Sequence, residues 1–201
     1  MKYHILKKQD ADFADFVDFW AELYNDKDEQ IYREYIGQPL TPKSVKALLA
    51  WKAMLITKKS IEGGNHPFVK ALIADLGHFQ SIQSKPLTSE DANKFLTTEL
   101  KGKGMIWKIF ILHILHPDKY PIFDQHVYRS MVYLKTGKIA EISKNPEEKQ
   151  LKYLNEYLPF YNELGYYEDR KLDKALFSFG QFLKTRLGSR LRMDIVEEVR
   201  L

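Results

Sequence analysis

Residues 100–129, LKGKGMIWKIFILHILHPDKYPIFDQHVYR, decide how the rest of the chain is read. Gly102 and Gly104 stand one residue apart between two stretches of helical pattern. Glycine tolerates positive backbone dihedrals, so this spacing predicts a very tight turn between helices. Such a turn presents backbone N–H groups at the start of the next helix, where a phosphate is welcome. Lys101 and Lys103 add positive charge at the same spot. The plainer reading is an interhelix connection carrying solvated lysines. Met105 to Leu115 then runs almost entirely apolar, Pro117 to Pro121 breaks the pattern, and Asp124 opens an amphipathic run that includes His126 and Arg129. An aspartate there is either the cap of the following helix or a reactive carboxylate.

Outward from this stretch the periodicity stays helical. Phe13, Phe16, Val17 and Trp20 fall at three- and four-residue steps, as do Val45, Leu48, Leu49, Lys52 and Leu55. Thr41 followed by Pro42 is a helix start, and Thr88 or Ser89 caps another, with acids in its first turn. A helix is expected over 67–76, a stop at Gly137, and one helix kinked near Pro159. Leu172, Ala175, Leu176, Phe179 and Phe182 mark one face of a late helix, and 189–201 reads as a short helix. Only KYHIL, residues 2–6, hints at a strand. The expectation is an all-α fold: residues 1–201 as a single helical domain of two lobes. Its helix-turn-helix covers about 89–116, and the helix introduced by Asp124 starts at about 124.

Composition narrows the chemistry. Across 201 residues, 31 Lys and Arg against 27 Asp and Glu give a net charge of +4, which permits a polyanionic partner without demanding one. With no cysteine, disulfides, thiolate zinc sites and iron–sulfur clusters are excluded. The N-terminus has no uninterrupted apolar core of a signal peptide. The longest apolar run is about half the ~20 residues that a bilayer requires. A cytoplasmic protein without membrane contact is expected.

Leu100-Lys101-Gly102-Lys103-Gly104, the apolar helix, the Pro-containing loop 116–121 and Phe123-Asp124-Gln125-His126-Val127-Tyr128-Arg129 together resemble the helix-hairpin-helix (HhH-GPD) superfamily of base-excision DNA glycosylases. That family carries an L-P-G-x-G hairpin and a V-D-T-H-V-x-R-like motif. Bifunctional members place a lysine two residues after the second glycine and the aspartate eighteen positions later. Here the lysine position is Ile106, and 124 − 106 = 18, so the register fits without a gap. The resemblance covers about thirty residues, with a softer likeness in LDKALFSFGQ, residues 172–181.

The resemblance implies a DNA N-glycosylase with Asp124 as its catalytic carboxylate. Gly102, Lys103, Gly104 and Lys101 would grip a phosphate of double-stranded DNA, with His126 and Arg129 in supporting positions. It further implies a base flipped out of the duplex, for which Trp107 is a candidate pocket residue. Isoleucine at 106 cannot form a Schiff base, so the expected enzyme is monofunctional, using water and leaving an abasic site. No cofactor is expected beyond room for a structural monovalent cation at the hairpin. Lys108, about 200° around the helix from Ile106, points away. For Arg129 the plainer reading is a surface or interlobe ion pair. For His126 it is a partly buried, satisfied side chain.

Three rivals stand beside this reading. A non-catalytic helix-hairpin-helix module would grip DNA phosphates without cutting anything. His113, His116, Asp124 and His126 could form a metal site, since residues three apart share a helix face. Aromatic segments such as FADFVDFW and YLPFYNELGYY could serve a helical interaction protein, although their spacing suits a core. The damaged or modified base and the oligomeric state cannot be read from the sequence.

Overall fold

The computed structural model describes residues 12–53, 55–100, 104–165 and 167–185. Among these residues there is no strand. The helices are α1 (Phe13–Glu22), α2 (Glu29–Tyr35), α3 (Pro42–Lys52), α4 (Leu55–Glu62), α5 (Pro67–Ala74) and α6 (Leu76–Gln83). They continue with α7 (Ser89–Thr98), α8 (Met105–Leu115), α9 (Gln125–Thr136), α10 (Pro146–Lys152), α11 (Leu158–Glu163) and α12 (Lys171–Leu183). The all-α expectation holds. The strand suggested at 2–6 and the helix expected at 189–201 lie outside the described residues, as do Lys101, Gly102 and Lys103.

Local chemistry sets the helix starts. Asp12 accepts from the Asp15 N–H, and Asn145 accepts from those of Glu147 and Glu148 ahead of Pro146. Thr41 and Ser44 form a reciprocal capping box, as do Thr88 and Asp91. Each such cap satisfies amides that the first helical turn leaves without a partner. Two boundaries differ from the periodic reading. The stripe through Leu55 is interrupted, because α3 ends at Lys52 and Ala53 is extended. The helix expected over 67–76 divides at Asp75 into α5 and α6.

The chain separates into two compact units, one of 1–25, 125–141 and 165–201 and another of 26–124 and 142–164. In the first unit α12 packs on α1 and α9. Val17, Val127, Met131, Leu172, Ala175, Leu176 and Leu183 are buried there. Phe16, Trp20, Phe179 and Phe182 form an aromatic cluster, with Phe16 and Phe179 edge to face at 5.1 Å. Such pairs add stability beyond the area they bury.

The second unit is built around α8, on which Met105 and every residue from Lys108 to Leu115 are buried. A helix apolar nearly all round belongs in the middle of a fold. α6, α7 and α10 pack on it, and α3 packs on α2, α4 and α5. Between α10 and α11 a π turn spans Tyr153–Tyr157, with the Leu158 N–H bonding to the Tyr153 carbonyl. Pro159 has no N–H to bond the Asn155 carbonyl, which relates the wider turn to the proline foreseen as a kink. Tyr153 and Tyr157 are both fully buried, and Phe123 lies against them at 5.3 and 5.1 Å between ring centroids. The Tyr153 hydroxyl donates to the Pro121 carbonyl at 3.2 Å. The segment leading to Asp124 is therefore held by both backbone and ring contacts.

Candidate functional site

α7 and α8 pack together and are joined by residues 99–104. At this connection Leu100 adopts φ 51°, while Gly104 has φ −63° and ψ 140° as the N-cap of α8. Among the described residues of this connection the left-handed one is thus a leucine, a conformation that costs a side chain roughly 1 kcal/mol. Gly104 does not need its conformational freedom, and a Cβ there would meet Trp107 at an ordinary 3.9 Å. Gly104 is exposed at the start of α8, the place in which a backbone amide can meet an anion.

Lys108 points inward. Only 7% exposed, its ammonium donates to the Leu96 carbonyl at 2.8 Å, tying the last turn of α7 to α8. Burial holds its pKa below the ordinary lysine value, an effect that Glu99 opposes. Trp107 is half-buried, its ring 5.7 Å from Phe68 and 6.5 Å from Phe110, so it belongs to an aromatic layer of the second unit.

Asp124 directly precedes α9 and closes its stretch of the second unit. Its side chain is 17% exposed, and Oδ2 accepts a hydrogen bond from Lys52 Nζ at 3.0 Å. The lysine side chain is 15% exposed. Its ammonium lies 5.8 Å from the centre of the Phe110 ring, which Trp51 stacks at 5.9 Å. Two sheltered opposite charges in hydrogen-bond contact offset part of the hydration that each has lost.

Lys52 was not singled out as a functional residue from the sequence. One signal was available: a lysine stands where the α3 stripe of Val45, Leu48 and Leu49 calls for an apolar residue. A charge on a buried face implies an opposite charge nearby. Its identity could not be read, because Asp124 lies 72 positions away.

His126 and Arg129 belong to the first unit. The His126 ring packs on Phe177 at 4.9 Å and is partly buried. Arg129 does form an ion pair, the plainer of its two readings, but its own side chain is buried, only 1% exposed. Its Nη2 donates to Glu141 at 2.8 Å, its Nη1 donates to the Gly180 carbonyl at 2.8 Å, and His126 Nδ1 lies 3.3 Å away. Glu141 is 67% exposed, so the pair reaches from the interior to the surface. The carbonyl keeps the guanidinium hydrogen-bonded when the acid is lost. Glu141→Ala should therefore lower stability by less than about 1 kcal/mol. A thermal melt with a much larger drop would make the acid the main anchor.

The histidines proposed for a metal are otherwise engaged. His113 Nδ1 lies 2.7 Å from the Tyr120 carbonyl and Nε2 lies 2.7 Å from the Tyr32 hydroxyl. A carbonyl only accepts, which places the hydrogen on Nδ1 and lets the tyrosine donate to Nε2. His116 Nε2 bonds to the Ile82 carbonyl at 3.2 Å. Among the described residues no three His, Asp or Glu side chains converge as a metal site would require.

His116 supplies a pH dependence instead. Burial pushes its pKa below the ordinary 6.5 and Lys119 adds to this, while the bond to Ile82 opposes it. The unfolded chain then binds the proton more readily than the folded one. Stability should fall as pH drops from about 6.5 through the lowered folded value, and stay level above. Chemical denaturation at stepped pH should show this slope in the wild type and a weaker one in His116→Gln. Equal slopes would remove His116 as the cause.

No protein family, curated protein or solved structure matches this chain. Among the described residues no helix is long and apolar enough to cross a membrane.

Proposed function

We propose that this chain is a divergent base-excision enzyme of the helix-hairpin-helix glycosylase type, acting on double-stranded DNA. It hydrolyses the N-glycosidic bond of a damaged or modified base, with Asp124 as the catalytic carboxylate. The observation that carries the reading is the sheltered Asp124 carboxylate at the end of a braced loop. It stands at the required register from a connection whose two helices pack together.

The chemistry follows from charge. As the bond from C1′ to the base nitrogen breaks, its electron pair leaves with the base and positive charge grows on C1′ and the ring oxygen. A carboxylate facing that carbon stabilises the charge. Water then bonds to C1′ and gives its proton to the carboxylate, while the base takes a proton from solvent. With Ile106 at the family's lysine position, the expected course is hydrolytic and monofunctional, leaving an intact strand with an abasic site. The hairpin backbone from Gly102 to Gly104, with Lys101 and Lys103, would hold a phosphate beside the flipped nucleotide.

One observation favours a second reading. The Asp124 charge is balanced by Lys52, as in a purely structural ion pair, which suits a non-catalytic DNA-binding module. The test is base release from duplexes carrying oxidised, alkylated, deaminated or hypermodified bases, with and without a chelator. Abasic sites that need alkali for strand cleavage and survive chelation support the glycosylase. Salt-sensitive duplex binding without release supports the binder.

A further inference from the structure

Lys52 is the last residue of α3, whose first turn is fixed by the Thr41–Ser44 capping box and whose body is anchored by buried Val45, Leu48 and Leu49. The ammonium is thus delivered from a rigid element, and its approach is bounded by the ring of Phe110, itself 1% exposed on α8. It meets the carboxylate at Oδ2, 3.0 Å away, with both side chains mostly hidden from water. A charge-assisted bond to one carboxylate oxygen sets the rotation of the whole carboxyl group, and with it the direction of the other oxygen. An anion intended to face a developing cation must be held in that direction before the reaction.

We infer that Lys52 is the positioning residue of Asp124: it acts on base release through the carboxylate it orients, without touching the sugar or the base. The inference rests on the reading of Asp124 as the reactive carboxylate. It also opposes a simple electrostatic expectation. An ammonium beside the anion weakens the field that the anion exerts on a cation, so removing it would speed the reaction if charge alone mattered. A positioning role has the opposite sign.

The experiment measures kcat and KM for base release on whichever duplex the wild type processes. It compares Lys52→Met, Lys52→Arg, Asp124→Asn and the double variant Lys52→Met/Asp124→Asn. Lys52→Met should lower kcat by about 30- to 100-fold, the order expected for a misplaced reacting group, with KM within about threefold. Lys52→Arg should recover to within about tenfold of wild type, because it keeps a donor cation. In the Asp124→Asn background the methionine should add nothing further, since the two residues act as a unit.

Four results would overturn the inference: a kcat unchanged or raised in Lys52→Met, a loss confined to KM, a loss additive with Asp124→Asn, or a borohydride-trapped adduct absent from Lys52→Met. The adduct would make the lysine a nucleophile. If Lys52→Met does not fold by circular dichroism, Lys52→Gln is read against the same outcomes. Release that disappears in Asp124→Asn and persists in Lys52→Met sinks this inference alone. Absence of release by the wild type on every duplex overturns the Asp124 reading and this inference with it.

Discussion

Asp124→Asn is expected to slow base release about a thousandfold while duplex binding is kept or tightened. Asparagine preserves shape and loses only the charge, so the variant asks what the charge contributes. Removing a single well-placed stabilising group from an active site costs about 10²–10³ in rate, and a full negative charge facing an oxocarbenium-like centre belongs at the upper end. In barrier terms this is about 4 kcal/mol. Binding moves the other way because an anion near DNA phosphates is repelled by them. The variant also leaves Lys52 opposite an amide, and losing one partner of a sheltered ion pair should cost stability of the order of 2 kcal/mol. Rates are therefore to be measured well below the melting temperature of the variant. A rate within tenfold of wild type would remove Asp124 from the chemistry.

Gly180→Ala is expected to have the largest structural effect. A Cβ built on Gly180 of α12 would lie 2.0 Å from the His126 carbonyl oxygen, 2.5 Å from its carbon and 2.9 Å from its Cα. All three are backbone atoms, so no side chain can swing aside. α9 and α12 would have to part, loosening the layer formed by Val127, Leu172, Leu176 and Leu183. The Gly180 carbonyl also accepts from buried Arg129, and the Leu176 carbonyl accepts from Ser130 at 2.5 Å. Both bonds join the same two helices. Alanine's better helix propensity, worth about 1 kcal/mol, is outweighed by the overpacking and the loosened bonds. The net loss should be about 3 kcal/mol, or a melting temperature lower by roughly 6–12 °C. A melt within about 2 °C of wild type would show that the helices separate at little cost.

Several helix ends were legible because they depend on a few neighbouring residues. Thr41, Pro42, Thr88 and Gly137 each announce a boundary through a cap, a fixed φ or a positive φ of 66° at the glycine. The interruptions at Ala53 and Asp75 were not legible, since the apolar stripe continues across them while the backbone turns. His66 caps α5 through its imidazole, a role that residue type alone does not signal.

The site was legible only along the chain. Asp124 and its register to the glycines could be read, but the charge that meets it comes from α3, and no local pattern links positions 52 and 124. Arg129 shows the same limit. Its burial depends on the close approach that Gly180 permits, 51 residues further on.

The central claim is that Asp124 faces positive charge developing on a sugar, and it can be tested without knowing the base. The measurement is the affinity of wild type and Asp124→Asn for two duplexes. One carries a cationic pyrrolidine in place of a single deoxyribose, and the other a neutral tetrahydrofuran at the same position. The account predicts that wild type prefers the cationic duplex by about a hundredfold or more, as for an analogue of the transition state, and that Asp124→Asn loses the preference. Equal affinities of the wild type for the two duplexes would contradict it.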